Sequence, residues 1–300
     1  MGLRRRSEPA TASMLGKFQT QRTAADPIQA LVPMSRLSKA LAVGATAIAL
    51  IYLAICALLY LSQRSYIYYP SHRSADTATI TLDRGDARVL VSTNSIDRDR
   101  DYDHDRAVLY FGGNAEDVSR AIGVLDRAFP DAAIYAMHYR SYGGSTGTPS
   151  ERALVADAMA LFEHVVEQHP RIAVVGRSLG SGIAVQVAAS KPVDRLVLVT
   201  PYNSLLELAA EHFRLFPTRF LLRDKYESWR YVGRLHVPTT IVMAGHDRII
   251  PNESSRRLAG AFPPGVVTVV EIPEADHNSL SNSPAYVAAL AGRDEAGNDR

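Results

Sequence analysis

The chain has 300 residues, of which 47% are hydrophobic and 21% are charged. Such a chain can bury a substantial core, which excludes a disordered tail, a collagen and a small disulfide-stapled domain. The formal net charge is +2, but residues 1–64 hold eight basic and two acidic residues, so the remaining 236 are mildly acidic. No basic stripe suits nucleic acid, and the single cysteine, Cys56, excludes an internal disulfide and a cysteine-based zinc cluster.

One long apolar run lies near the N-terminus. Ala40–Leu61 has 22 residues and no charge. At 1.5 Å per residue such a helix is about 33 Å long, which is enough to cross a bilayer. We therefore predict a transmembrane anchor helix over 37–63. The alternatives are a buried core helix, which is usually shorter, and a cleaved signal peptide, which would need a small-residue cleavage site after Leu61.

The charges that flank this run predict its orientation. The basic residues that precede it are Arg4, Arg5, Arg6, Lys17, Arg22, Arg36 and Lys39. By the positive-inside rule, residues 1–36 lie in the cytoplasm and the large domain lies outside it, in the periplasm if the cell is bacterial. Residues 1–36 are mostly polar and aperiodic, so we expect disorder there. Translation could start at Met1 or at Met34.

From residue 65 onward, short β-branched runs alternate with longer helical patterns. The strand candidates are Ala107–Phe111, Ala132–Met137, Ile172–Val175, Leu196–Val199, Thr239–Met243 and Val266–Glu271. The helix candidates are Glu116–Ala128, Glu151–Gln168, Leu179–Ser190, Leu205–Leu215, Glu253–Ala261 and Pro284–Ala291. This alternation predicts an α/β domain over 65–300 with a mostly parallel central sheet flanked by helices. Thr79–Leu82 and Ala87–Val91 predict a leading antiparallel hairpin.

Two loops invite a ligand-binding interpretation and do not support it. Ile96–Arg106 has Asp at alternate positions, but it lacks the Gly and Glu of an EF-hand, so we expect a solvated loop. The glycine-rich loop HYRSYGGSTGTPSE lacks the Lys-Ser/Thr ending of a phosphate-binding loop. Its end, Thr148–Glu151, predicts a capping box with Pro149 at the first helical position. We expect no metal and no cofactor.

A nucleophile motif follows the strand candidate Ile172–Val175. The sequence GRSLG places Ser178 between Gly176 and Gly180, and a helix of small residues comes next. This is G-x-S-x-G in a strand–turn–helix setting, where a sharp turn lifts the serine hydroxyl above the sheet. Side chains at the two glycines would collide with neighbouring backbone.

A serine nucleophile needs a base, and the base needs an acid that orients it. His277 lies in the loop after the last predicted strand, where the base belongs. His212 lies in a helical pattern, His236 precedes a strand, and His246 adjoins Asp247. Asp247 follows the strand Thr239–Met243. We predict the triad Ser178, Asp247 and His277, because Asp276 adjoins the histidine and neighbouring side chains usually diverge.

The negative charge on the attacked carbonyl oxygen needs two N–H donors. The backbone N–H of Leu179, directly after the nucleophile, is the first candidate. Gly112, Gly113 and Asn114 end the strand Ala107–Phe111, and the glycines allow the backbone to approach a substrate. We predict Asn114 N–H as the second donor. The alternative is an ordinary strand-to-helix turn.

These motifs resemble the α/β-hydrolase superfamily, and within it the membrane-anchored serine hydrolases related to the bud-emergence-suppressor and serine-aminopeptidase-like proteins. FGGNAEDVS resembles the F-H-G-N-A-x-x-x-S oxyanion loop, and GRSLGSGIA, TPYNSL, AGHDRIIP and ADHNSL follow in the family's order. The resemblance covers residues 66–300 and implies an α/β-hydrolase fold with the same triad and oxyanion hole. Gly112 replaces a histidine of the family pattern, and Ser141 replaces a glycine.

The substrate is less well defined by the sequence. Residues 202–231 predict a small cap that is rich in aromatic residues, with Tyr202, Phe213, Phe216 and Trp229 as pocket candidates; helices packed on the body are an equal alternative. We expect hydrolysis of a small or lipid-like ester or thioester. A peptidase or amidase, an acyltransferase and, less favoured, a membrane-tethered binding protein are the alternatives.

Overall fold

The computed structural model describes residues 35–95 and 105–292. Most of the segment 1–36 and of the Asp-rich loop therefore lies outside the described residues. The chain divides into two compact units, Met1–Ile51 and Tyr52–Arg300. The second unit contains the sheet and every residue of the predicted site.

The first helix, α1, covers Arg36–Ile67 and has 32 residues. Its most apolar window has a mean hydropathy of 2.4 and is 6% buried, so by length and composition the helix can cross a membrane. It ends four residues beyond the predicted 37–63. The end of the helix carries Gln63 and Arg64, whose side chains bond to Leu221 O and to the Asp224 carboxylate.

The described residues form an eight-stranded sheet in the order β1-β2-β4-β3-β5-β6-β7-β8. The strands are β1 Ala78–Asp83, β2 Arg88–Thr93, β3 Arg106–Phe111, β4 Ala133–Met137, β5 Arg171–Arg177, β6 Arg195–Val199, β7 Thr239–Ala244 and β8 Val267–Ile272. Strand β2 pairs antiparallel with β1 and β4, and all other pairs are parallel. The predicted mostly parallel sheet and leading hairpin are confirmed.

Helices cover both faces of this sheet. They are α2 Ile122–Ala128, α3 Glu151–Val166, α4 Leu179–Ala188, α5 Leu205–His212, α6 Thr218–Leu221, α7 Trp229–Val232, α8 Asn252–Gly260 and α9 Pro284–Ala291. Side chains of α3 and α4 pack in one core layer, and those of α2 and α9 pack in the other. The central strands are continuous apolar runs because both of their faces are buried.

Two of the predicted helices are shorter in the structure by three residues or more. The segment predicted as Glu116–Ala128 begins with a 3₁₀ turn at Val118–Ala121, because the Asp117 side chain accepts a hydrogen bond from the Ser119 N–H and so caps the turn. Helix α5 ends at His212 rather than Leu215, since the chain turns there toward Pro217.

The predicted capping box at Thr148–Glu151 is wrong. The residue that caps α3 is Ser150, whose Oγ accepts from the Ala153 N–H at 3.2 Å. Glu151 does not reach back to the chain before its helix. Its carboxylate accepts the backbone N–H groups of Lys225 and Tyr226, at 2.7 and 3.0 Å, and so ties the helix to residues 225–226.

Candidate active site

The loop between β5 and α4 forms a strained turn. Ser178 has φ 48° and ψ −117°, a conformation that costs energy for a residue other than glycine. Its N–H donates to Val199 O at 2.9 Å, which ties the turn to the end of β6. A Cβ on Gly180 would collide with the carbonyls of Phe111 and Gly112, and one on Gly176 would lie 2.6 Å from Gly180 O. The close approach of these backbones requires both glycines.

The side chains of Ser178, His277 and Asp247 form one chain of hydrogen bonds. His277 Nε2 lies 3.1 Å from Ser178 Oγ, and His277 Nδ1 lies 2.7 Å from Asp247 Oδ2. The second carboxylate oxygen, Asp247 Oδ1, accepts the N–H groups of Ile249 and Ile250 at 2.9 and 2.8 Å. The Asp247 side chain is 1% exposed and the His277 side chain 9%. The structure thus brings together three residues that the sequence places on three different loops.

Asp276, the competing acid, faces its own loop. Its Oδ1 accepts the N–H groups of Asn278 and Ser279, at 2.9 and 2.8 Å. Backbone hydrogen bonds from Ser279 and then Asn278 lower the pKa of Asp276. Its carboxylate therefore stabilises the loop that carries His277.

The loop after β3 lies beside the nucleophile. A Cβ on Gly113 would be 3.5 Å from the Ser178 Cβ. The Asn114 side-chain oxygen accepts from the Tyr69 N–H at 2.9 Å and from the Tyr142 hydroxyl at 3.1 Å, which holds the loop. The Gly113 N–H donates to Glu116 Oε2 at 2.6 Å and is therefore already engaged.

An ion pair that was not predicted from the sequence joins the loops of the site. Glu116 accepts hydrogen bonds from the Gly113 N–H and the Tyr110 hydroxyl, both at 2.6 Å. Its carboxylate lies 3.6 Å from the Arg177 guanidinium, which donates to His277 O at 3.0 Å. Burial lowers the pKa of Arg177, but Glu116, Tyr110 and Tyr286 together outweigh burial, so the net pKa is raised.

This pair contacts three loops at once: the loop after β3, the turn at Ser178 and the loop of His277. In the sequence, the residue that could have indicated this ion pair is Arg177. A charged residue between Gly176 and Ser178, at the end of a buried strand, needs an acidic partner. The sequence could not indicate that the partner is Glu116.

An apolar cavity of about 270 Å³ lies between the end of α1 and the segment 205–222. Its lining residues are Leu59, Gln63, Tyr66, Ile67, Leu205, Leu208, Ala209, His212, Phe213, Phe216, Thr218, Leu221 and Leu222. Two of the four pocket candidates, Phe213 and Phe216, therefore line a cavity.

The other two pocket candidates lie elsewhere. Tyr202 is 2% exposed and packs under α4, where its hydroxyl donates to Leu179 O at 3.1 Å. Trp229 is 46% exposed, and the Arg230 guanidinium lies 5.3 Å from its ring centre. Neither contributes to the cavity lining, because one belongs to the core and the other faces solvent. Among the described residues, no group of three or more His, Cys, Asp or Glu side chains could hold a metal ion.

Comparison with known proteins decides the family. No family model matches the chain. It is 34% identical over 242 residues to an uncharacterized protein of Mycobacterium tuberculosis, covering 77% of this chain and 86% of that protein. It is 25% identical over 198 residues to protein bem46 of Schizosaccharomyces pombe, covering 61% and 65%. The chain belongs to the α/β-hydrolase superfamily and to its bem46-like family. It is a hydrolase.

Other proteins and solved structures also resemble this bem46-like hydrolase. Lysophosphatidylserine lipase ABHD12 of Macaca fascicularis is 28% identical over 152 residues, which cover 44% of this chain and 38% of the lipase. Est1E of Butyrivibrio proteoclasticus, solved with ferulic acid, has a TM-score of 0.59 at 14% identity, covering 71% and 96%. A putative hydrolase of Agrobacterium vitis has a TM-score of 0.56 at 18% identity, covering 73% and 97%. These two structures share the fold of the hydrolase.

Proposed function

We propose that this protein is a membrane-anchored serine hydrolase that cleaves a carboxylic ester or thioester through an acyl-enzyme on Ser178. The observation that carries the proposal is the continuous hydrogen-bond chain from Asp247 through His277 to Ser178, with distances of 2.7 and 3.1 Å. A nucleophile, a base within reach of it and an acid that orients the base are the parts that acyl transfer needs.

In the first half of the proposed reaction, His277 Nε2 takes the Ser178 proton as Oγ attacks the carbonyl carbon. The carbonyl π electrons move to the oxygen, and the N–H groups of Asn114 and Leu179 stabilise the resulting oxyanion. When the tetrahedral intermediate collapses, the bond to the leaving group breaks and His277 donates its proton to that group. The acyl-enzyme and a free alcohol or thiol remain.

Water completes the cycle by the same steps. His277 removes a proton from water as the water oxygen attacks the acyl carbon, and the second tetrahedral intermediate releases the acid while Ser178 regains its proton. Throughout, Asp247 keeps the imidazole in one orientation, because its Oδ1 is already held by the N–H groups of Ile249 and Ile250. The Glu116–Arg177 pair holds the three loops at their separation.

A lipid-like acyl group is the substrate class that the apolar cavity favours. Phe213 and Phe216 line a space of about 270 Å³ with mostly hydrocarbon walls, and pockets of this kind bind apolar groups. The similarity to a lysophosphatidylserine lipase, over 44% of this chain, points in the same direction.

A panel of matched substrates tests this function. Esters, thioesters and amides with the same acyl groups, from C2 to C12, are supplied to the purified full-length chain, and kcat/KM is measured for each. We expect turnover of esters and thioesters, with slower or absent turnover of amides, and no requirement for added metal. Faster cleavage of the amides would indicate a peptidase or amidase, and transfer to added alcohols in preference to water would indicate an acyltransferase.

The charge distribution supports a single-pass topology with the N-terminus in the cytoplasm and the hydrolase domain outside it. Seven basic residues precede the apolar run of α1, whereas only two acidic residues do. A reporter that folds only after export, fused at residue 95, is expected to be active, and one that works only in the cytoplasm is expected to be inactive. The reverse pattern would overturn the orientation.

A further inference from the structure

We propose that the last turns of the membrane helix, Leu59–Ile67, form one wall of the site that holds the acyl chain of the substrate. The helix would then be part of the binding site as well as an anchor. This inference rests on the proposed ester hydrolysis for the reaction, but acyl binding can be measured without turnover.

The first observation is the composition of the cavity. Leu59, Gln63, Tyr66 and Ile67 of α1 face the segment 205–222 across about 270 Å³. Among the described residues that line this cavity, none is Asp, Glu, Lys or Arg. A hydrocarbon chain buried here loses contact with water, which is favourable in proportion to its apolar area.

Two polar side chains of the lining, Gln63 and His212, bond within the protein. Gln63 uses both ends of its amide: Nε2 donates to Leu221 O at 3.0 Å, and Oε1 accepts from the Arg223 N–H at 2.7 Å. His212 Nδ1 donates to Leu208 O at 2.9 Å. A polar ligand would therefore gain little from these groups, so the occupant that we assign to the cavity is an acyl chain.

Hydrogen bonds and one ion pair hold the two walls together without a ligand. Arg64 Nε donates to Asp224 Oδ2 at 2.9 Å, and the Tyr68 hydroxyl donates to the same carboxylate at 3.2 Å. The Asp224 side chain is 5% exposed, so these bonds are shielded from solvent. A cavity with walls fixed in advance binds a flexible chain at a lower ordering cost.

The cavity wall also starts at the edge of the sheet that carries the nucleophile. Strands β5 and β6 are parallel, with Arg177 opposite Val199, so both end at the same edge. Ser178 follows the first strand directly, and α5, which lines the cavity, begins at Leu205 after the second. The other wall continues a helix apolar enough to cross a membrane. The proposed path of the acyl chain therefore runs along α1 toward the edge that carries Ser178.

Two neighbouring tryptophan substitutions test this role in the full-length chain in detergent. Leu59 lines the cavity, whereas Leu58, the matched control, is 64% exposed and absent from the lining. In Leu59→Trp the indole fills the cavity, so kcat/KM should fall for C12 esters and stay close to wild type for C2 esters. The ratio of kcat/KM for C12 esters to kcat/KM for C2 esters should fall about fourfold for each methylene that the indole displaces. Leu58→Trp should keep the wild-type ratio.

A binding measurement separates this inference from the catalytic proposal. A fatty acid with a diazirine near its methyl end is photocrosslinked to the Ser178→Ala chain, and the labelled peptides are mapped. We expect labelling within residues 205–222 that is lost when Leu59→Trp is added and kept when Leu58→Trp is added. If the chain shows this labelling but hydrolyses no ester, the inference that the cavity binds an acyl chain holds and the proposal of ester hydrolysis fails.

Two outcomes would overturn the inference. The first is an equal loss of kcat/KM at every chain length in Leu59→Trp, which would indicate a general disturbance of the domain. The second is labelling of 205–222 that is unaffected by Leu59→Trp. Because the tryptophan could unfold the chain, its thermal midpoint is compared with that of Leu58→Trp. If Leu59→Trp does not fold, Phe216→Ala takes its place, with flattening of the chain-length dependence as the expected result.

Discussion

Replacement of Ser178 by alanine is expected to lower kcat by about 10⁶-fold, the size of the loss seen when a triad nucleophile is removed. The Ser178 Oγ lies 3.1 Å from His277 Nε2 and is the atom that would form the acyl bond. Alanine leaves His277 and Asp247 in place, but it has no hydroxyl group that His277 could deprotonate. The measurement is kcat on the best ester of the panel, together with covalent labelling by a fluorophosphonate probe, which should disappear.

Ser181 provides a matched control for this substitution. It is a serine in the first turn of α4, and its Oγ donates to Ser178 O at 2.6 Å without contacting His277. Ser181→Ala should keep fluorophosphonate labelling and most of the turnover. Undiminished labelling of Ser178→Ala, or mapping of the label to another serine, would contradict the assignment of the nucleophile.

Asp247→Asn is expected to lower kcat by about 10⁴-fold with little change in stability. The reason lies in the hydrogen bonds around the carboxylate. The N–H groups of Ile249 and Ile250 point at Oδ1, so the asparagine oxygen will stay there and its NH₂ group will take the place of Oδ2. That NH₂ group donates to His277 Nδ1, which forces the imidazole proton onto Nε2. The base then faces Ser178 with a proton already attached and cannot accept another.

Asp276→Asn is the control for the acid. Asp276 adjoins His277 in sequence, but its carboxylate bonds to the N–H groups of Asn278 and Ser279. An asparagine oxygen can accept the same bonds, so we expect a loss in kcat of less than about tenfold. The measurement is kcat for both variants, with thermal midpoints to show that each is folded. A larger loss in Asp276→Asn than in Asp247→Asn would reverse the assignment of the acid.

The mostly parallel sheet and its leading hairpin followed from local patterns in the sequence. Continuous apolar runs such as Leu196–Val199 mark strands buried on both faces, and the glycines around Ser178 mark a turn in which two backbones approach closely. The candidates Asp247 and His277 could be named because parallel strands bring the loops at their carboxyl ends to one edge. These signals each depend on a few neighbouring residues, so the sequence was sufficient to read them.

Which contacts an individual side chain makes was decided only by tertiary packing. Phe216 and Trp229 both belong to the same aromatic segment, yet one lines a cavity and the other faces solvent. Glu151 fits a capping box in sequence but binds backbone 74 residues away. Glu116 and Arg177 likewise meet only in the folded chain.

The α/β class, the apolar helix and the candidate triad could therefore be predicted from the sequence, because hydrophobic periodicity and turn chemistry are local properties. The partners of the buried charges, and the faces of α1 and of the segment 205–222 that enclose a cavity, could be identified only in the folded chain. These depend on the packing of elements far apart in the chain. A buried charge such as Arg177 requires some partner, but several acidic residues could satisfy that requirement until the loops are placed.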